Sequence, residues 1–462
     1  MKNNKKKGIF TVMMLVVLLA GCGRVEEAIN QFTESTSQAY EEEKSQKATQ
    51  EGTGSSTESG NKSTSEQLAE ASDEQSAENQ ATEPALSVTE QDALAAEEPA
   101  EYDIQLMMLG DNLLHMGIVR TGKQEDGSYN FDFLFEGIEQ FLAEAEIKMI
   151  NQETILGGNH LGFSGYPYFN SPTEVGDAIA AAGFNIVLHA SNHAADQNLE
   201  GLKNCVTFWE QYPEVLMAGI HEEGESPIQI LTIEGIDFAV LNYTYGPNLE
   251  TMPEAIEGHL DMLCNYDETT GRIDFTQLHP DVLTDIAKAK EMADVVIVCP
   301  HWGTEYTTKP SSYQQKFALQ MTEAGADIII GTHPHVVQPV EWIEAENGNR
   351  ALCFYSLGNY VSTQKNPLCM LEAMAWVSFR VTEDGISIEE EKTGVLPMVC
   401  HYTANPVRLE SVYLLEDYTE EKAAAHGIGS YGGVNLYLGD LRAWSQEVFG
   451  KNVLTAEQVL SR

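Results

Sequence analysis

Gly331-Thr332-His333-Pro334-His335 sets two imidazoles two positions apart, directly after the apolar run Ile328-Ile329-Ile330. Imidazoles at the C-terminal end of a strand are well placed to hold a metal ion, because strand ends of an α/β sheet open onto a shared face. Other candidate ligands repeat the pattern. Asp111 and His115 follow the apolar run 104–109, and Asn151 and Glu153 follow 147–150. Asn192 and His193 follow 184–188, and His301 follows 295–299. These donors are oxygen and nitrogen with no thiolate, a set that suits Mn²⁺, Fe or Zn²⁺ in a two-metal hydrolytic centre.

Each group carries its own chemistry. Asp111 and His115 fall within about one turn of chain, so both reach a single cation. Asn151 and Glu153, two apart in an extended segment, point to one face, and a Glu bridges two ions with its two oxygens. Asn192 offers a neutral carbonyl oxygen, while the adjacent His193 suits proton transfer. Asp196 is placed to orient that imidazole or to cap the next helix. His301 sits in a loop constrained by Pro300 and Gly303, with Glu305 as a hydrogen-bond partner for a ligand imidazole. Pro334 is expected to hold the His333–His335 backbone extended. Asn359, in the turn 355–360, is expected to support the ligands or touch substrate. His189 reads as a packing or supporting residue, and His160, His221, His259, His279, His401 and His426 as surface or structural residues.

The elements that position these groups alternate. Strands at 104–109, 147–150, 184–188, 295–299 and 328–330 are separated by helical patterns at 133–145, 173–182, 199–212, 282–292 and 313–324. That alternation predicts an α/β layered domain. Glu234-Gly235, Asn347-Gly348 and Asp384-Gly385 each lie between two strand patterns and read as hairpin turns, so the sheets should be mixed. A strand at 337–344, another at 408–415 and a helix at 435–448 are also expected. The main domain is read as 102–394, with 395–462 packed on it as a C-terminal extension.

The ends of the chain differ in texture. Lys2, Lys5, Lys6 and Lys7 precede a short apolar run, 9–20, which is too short to span a bilayer by the usual ~20-residue count. It ends in Leu19-Ala20-Gly21-Cys22, which resembles a bacterial lipoprotein signal and implies cleavage before Cys22 and lipid on its thiol. Residues 23–101 are rich in Ser, Thr, Glu, Gln and Ala and poor in large apolar side chains. They read as a disordered tether, with a short helix possible at 25–32. The expected location is therefore the outer face of the bacterial cytoplasmic membrane, with the lipid on Cys22 as anchor. The 462-residue chain carries a formal charge of −45, which excludes nucleic acid as a partner for want of a basic surface. No Cys-x-x-Cys pair exists, which argues against a structural zinc site.

The motifs Leu109-Gly110-Asp111, Asn151-Gln152-Glu153, Ser191-Asn192-His193-Ala194-Ala195-Asp196, His301-Trp302-Gly303-Thr304-Glu305, Gly331-Thr332-His333-Pro334-His335 and Ser356-Leu357-Gly358-Asn359 occur in this order. In that order they resemble the CapA family of poly-γ-glutamate capsule synthesis proteins, similar in turn to calcineurin-like metallophosphatases. The resemblance covers roughly residues 104–365. It implies a metallophosphoesterase-like α/β/β/α sandwich. It implies that Asp111, His115 and His335 hold one divalent ion and that Glu153 bridges. It further implies that Asn192, His301 and His333 hold the second ion and that His193 is the general acid. Three departures stand out. Asp111 and His115 are four apart where the superfamily spaces them by two, Glu153 replaces the usual Asp, and Ser191 stands where a second Asn is common.

The expected function is that of a membrane-anchored, dinuclear metal-dependent hydrolase, phosphoesterase-like, acting on a capsule polymer or its precursor. The alternative is a non-catalytic assembly or export factor that uses the metal site to bind a polyanion. Subunits of a capsule synthesis complex are further candidate partners.

Overall fold

The structure is a computed structural model and describes residues 101–249 and 251–461. The lipoprotein signal, the tether and the helix at 25–32 lie outside the described residues.

Two mixed sheets carry the fold. The first contains β1 (Tyr102–Asn112), β2 (Ile147–Asn151), β3 (Ile186–Leu188) and β4 (Leu216–Ala218), which pair in parallel. The second begins with the antiparallel hairpin of β5 (Gln229–Ile233) and β6 (Ile236–Thr244). Its turn, Glu234-Gly235, has positive φ at both residues, as a two-residue hairpin loop requires. A small separate ribbon pairs β7 (Cys264–Tyr266) with β8 (Ile273–Leu278). The second sheet continues with β9 (Val295–His301), β10 (Ile328–Ile330), β11 (Val340–Glu344) and β12 (Arg350–Phe354), in the order β11-β12-β10-β9-β6-β5. The chain then returns to the first sheet through β13 (Asn359–Val361), β14 (Leu371–Thr382), β15 (Gly385–Ile388), β16 (Gly394–Thr403) and β17 (Arg408–Leu414). Residues 394–414 thus extend the first sheet itself, before the helix Leu438–Phe449.

Period-two alternation decides which face each side chain serves. In β1, Ile104, Leu106 and Met108 enter a core shared with Phe238, Val240, Ile297, Ile328 and Phe354 of the opposing sheet. The intervening Met107 and Leu109 pack outward with Phe131, Phe141 and Ile118. Ala239, Leu241, Val296, Val298 and Ile329 likewise pack with Val282, Ile286, Phe317 and Met321. These last come from the helices Pro280–Met292 and Ser312–Ala324. Helices outside two facing sheets give the α/β/β/α layering. Cys205, Cys264, Cys299, Cys353, Cys369 and Cys400 are free and buried.

The strand expected at 337–344 begins at Val340. Pro339 has no N–H to give a ladder, so regular pairing starts beyond it. Val337 makes only an isolated bridge to Leu357.

Among the described residues, no helix is long and apolar enough to cross a membrane.

Candidate metal centre

Register brings the polar strand ends into two rows. In the first sheet Asp111 pairs with Asn151 on one side and Asn359 on the other. In the second sheet Thr244 pairs with His301, and His301 bridges to Thr332. Gly110 permits the first row: a Cβ there would overlap the Gly358 carbonyl oxygen, which accepts the Asp111 N–H at 3.0 Å.

Asp111, Glu153 and His335 form one group of buried donors able to share a cation. His335 Nδ1 lies 3.0 Å from Asp111 Oδ2 and 3.0 Å from Asn359 Oδ1. Its Nε2 lies 3.8 Å from Glu153 Oε1. Asn151 Nδ2 donates to Asp111 Oδ1 at 2.8 Å. Glu305, His333 and His335 form a second group able to share a cation, with Glu305 only half-buried. Asn192 Oδ1 meets His301 Nε2 at 2.8 Å, and the His301 and His333 rings stand 4.9 Å apart. Thr332 Oγ1 holds the far side of His301 at 2.9 Å.

The backbone of the His333–His335 turn is not extended. His333 has φ 95° and His335 φ 58°. Such values are strained for residues with a Cβ and persist where surrounding contacts over-determine them. Here the His333 N–H points at both Asp111 oxygens, each 3.3 Å away. The turn therefore directs both imidazoles into one centre.

Electrostatics fit a cation. Glu153 is fully buried, and among the described residues neither of its oxygens accepts a hydrogen bond. Asn151 Oδ1 is in the same condition. A buried carboxylate left in that state costs several kcal/mol by the order-of-magnitude rule for orphaned ions, ~3–5 kcal/mol, unless a positive charge sits beside it. Burial raises the Glu153 carboxyl well above its usual range, with His335 pulling against it and Asp111 adding to it. Burial draws His335 down, but the charges of Glu153 and Asp111 and the Asp111 hydrogen bond overcome this and lift it to about 10. His335 thus holds a proton where a cation would otherwise balance two carboxylates. Burial, then the neighbouring His333 and His335, push His301 well below its ordinary value, leaving a neutral ligand.

His193 lies outside both donor groups. Its Nδ1 is 2.7 Å from Asp196 Oδ2, which also accepts the Phe169 N–H at 2.7 Å. Asp196 therefore fixes the ring through Nδ1. The Phe169 ring meets His193 edge-on, with centroids 4.7 Å apart.

His115 belongs to neither donor group. It precedes the helix Met116–Gly122 as its N-cap residue, and its Nδ1 accepts the Thr363 N–H at 3.3 Å. Burial and the charge of His335 pull it down to about 4. Glu305 faces His333 and His335 as a donor, and its loop leads into the helix Ser312–Ala324, whose N-terminus Ser311 and Gln314 cap reciprocally. Gln314 in turn donates to Gln338 Oε1 at 2.7 Å. His189 accepts the Trp209 indole N–H at 2.8 Å and serves packing.

The motifs did not reveal the loop after β6. Tyr245 lies with its ring 4.7 Å from His333, and Asn248 contacts Asn192 and His193. Tyr306 covers His335 at 6.0 Å. The available signal was positional: β6 ends at the same sheet edge as β9, so the residues after Thr244 face the same centre.

Residues 105–364, more than half of the chain, match the family model of the bacterial capsule synthesis protein PGA_cap. The chain belongs to this capsule synthesis family. It is 29 % identical over 288 residues to the Bacillus anthracis capsule biosynthesis protein CapA, covering 60 % of this chain and 64 % of that one. It is 33 % identical over 184 residues to the Bacillus subtilis PGA biosynthesis protein CapA, covering 39 % of this chain and 43 % of that one. The chain thus spans less than two thirds of the length of either relative. Among solved structures, it resembles a putative 5'-nucleotidase from Staphylococcus aureus at 19 % identity and a TM-score of 0.39, over 62 % of this chain and 53 % of that one. A likeness of that size carries no argument about activity.

Proposed function

We propose that this PGA_cap member is an exported, lipid-anchored hydrolase whose two-metal centre cleaves a phosphate or acyl bond in a capsule polymer or its precursor. The observation that carries the reading is Glu153: a buried carboxylate with two unsatisfied oxygens, set between Asp111 and His335. Nothing but a cation, or a proton in its place, makes that arrangement stable.

Asp111, Glu153 and His335 would hold one cation. Asn192, His301 and His333 would hold the other, with Glu305 as a further donor beside His333. Bound cations supply the positive charge that offsets the charge developing on the scissile group. The chain supplies the rest. Asn359 and Asn151 hold His335 and Asp111 in place. Asp196 accepts from His193 Nδ1–H and so favours the doubly protonated ring, whose Nε2–H would be the proton given to the leaving oxygen or nitrogen.

The test is turnover by the purified full chain loaded with Mn²⁺, on an aryl phosphate and on poly-γ-glutamate. Metal-dependent release lost in His333→Ala is expected. No release from either substrate with the metal sites filled would overturn the reading. Capsule formation in a His193→Ala strain separates the two roles: a strain that keeps its capsule at normal protein levels points to the non-catalytic assembly factor.

A further inference from the structure

Asn248 lies outside every motif at the strand ends, yet it touches two of their residues. Asn192 Nδ2 donates to Asn248 Oδ1 at 2.9 Å. The Asn248 N–H donates to the Asn192 carbonyl at 3.1 Å. Asn248 Nδ2 stands 3.2 Å from His193 Nδ1 and 3.5 Å from its Nε2, and so lies against the ring. The Tyr245 N–H donates to the His301 carbonyl at 2.9 Å. The loop is therefore tied to both Asn192 and His301.

A carboxamide has two ends of nearly equal shape and opposite use. The oxygen binds a cation, whereas the NH₂ group repels one. Nothing in the shape of Asn192 decides which end faces the centre. Asn248 does decide it, because its own oxygen accepts only from the NH₂ end. Turning Asn192 over would set two carbonyl oxygens against each other and point NH₂ at His301. In the observed orientation Asn192 Oδ1 is the end that meets His301 Nε2, at 2.8 Å.

We infer that Asn248 is a positioning residue that fixes Asn192 with its carbonyl oxygen toward the His301 side of the metal centre. The same side chain braces the His193 ring, so it couples the ligand to the proton donor. This rests on the two-metal reading given above. A partner behind a metal ligand typically accounts for ~10–100-fold in metal affinity.

Two substitutions test it in the full chain, stripped with chelator and titrated with Mn²⁺ by calorimetry, with elemental analysis of the product. Asn248→Ala removes the acceptor, while Asn248→Asp keeps one for the Asn192 amide. In Asn248→Ala one Mn²⁺ site should lose ~10–100-fold in affinity, with the other unchanged. Asn248→Asp should bind both ions as the wild type does. Melting of the stripped protein should be the same for all three. Unchanged Mn²⁺ binding in Asn248→Ala overturns the inference and leaves the metal centre standing. A lower melting temperature of stripped Asn248→Ala, with both sites weakened alike, overturns it in favour of a structural role. A wild type that takes up no Mn²⁺ overturns the metal-centre reading itself.

Discussion

Asp111 and His335 belong to different sheets, and they meet with 3.0 Å between carboxylate Oδ2 and imidazole Nδ1. Asp111 ends a strand of the first sheet, and His335 follows one of the second. The contact therefore brings strand ends of both sheets to a single centre, beside Glu153. A metal placed there would tie the two layers together as well as act on substrate.

The proton donor should be separable from the ligands. His193→Ala should lower kcat on an aryl phosphate by ~10²–10⁴-fold, the usual range for a general acid. Asp196→Asn should lower it less and shift the pH profile, because it frees the ring without removing it. Bound metal should be unchanged in both, as measured by elemental analysis. Loss of metal in His193→Ala would show that the ring is a ligand.

Gly110 links the backbone of the sheet to the site. Its Cβ position is filled by the Gly358 carbonyl oxygen, the acceptor for Asp111 N–H. Gly110→Ala should cost ~1–3 kcal/mol as an overpacked core position. It should also weaken metal binding by displacing Asp111. Urea melts with and without Mn²⁺ check both, and an unperturbed metal affinity would refute the link.

Much of the centre was legible because each ligand follows an apolar run, and strand ends share a face. Asp111, Asn151, Glu153, Asn192, His301, His333 and His335 all arrive at that face. What was not legible depends on contacts distant in sequence. The left-handed turn at His333 and His335 is set by Asp111, more than two hundred residues away. Asn359 reaches His335 because β13 pairs parallel to β1, a pairing no local pattern encodes. Asn248 follows a strand whose end carries no His or acid, so composition gave it no weight. The α/β alternation and all three hairpin turns were local signals, and those elements are present, except that the helix expected at 133–145 is only Glu139–Glu144.

His221 offers a pH-dependent contribution remote from the ligands. Burial lowers it, but the hydrogen bond and charge of Asp261, 2.9 Å away, raise it from 6.5 to about 9. A histidine raised on folding stabilises fully below its unfolded pKa, and the contribution fades as pH rises through the folded value. The penalty of His221→Gln in thermal melts should therefore be largest below pH ~6.5 and vanish above ~9. A penalty that grows with pH would contradict the pair.

Glu372 makes the opposite prediction. It is buried in the core, its oxygens have no well-formed hydrogen bond among the described residues, and burial raises its pKa well above 4.5 while the nearby Cys400 thiol pulls the other way. An acid raised on folding stabilises only below its unfolded pKa and costs more as pH rises. Glu372→Gln should match the wild type at acid pH and exceed it at pH 8 by ~1–3 kcal/mol in denaturant melts, the cost of an unsatisfied buried group. A difference that stays constant with pH would show that the carboxyl is satisfied.

The metal content of the purified protein tests the central claim most directly. After Mn²⁺ loading and dialysis, the wild type should retain about two ions per chain, as a two-metal site requires, and His335→Ala should retain about one. A wild type that retains no stoichiometric metal, or a His335→Ala protein that retains as much as the wild type, would contradict it.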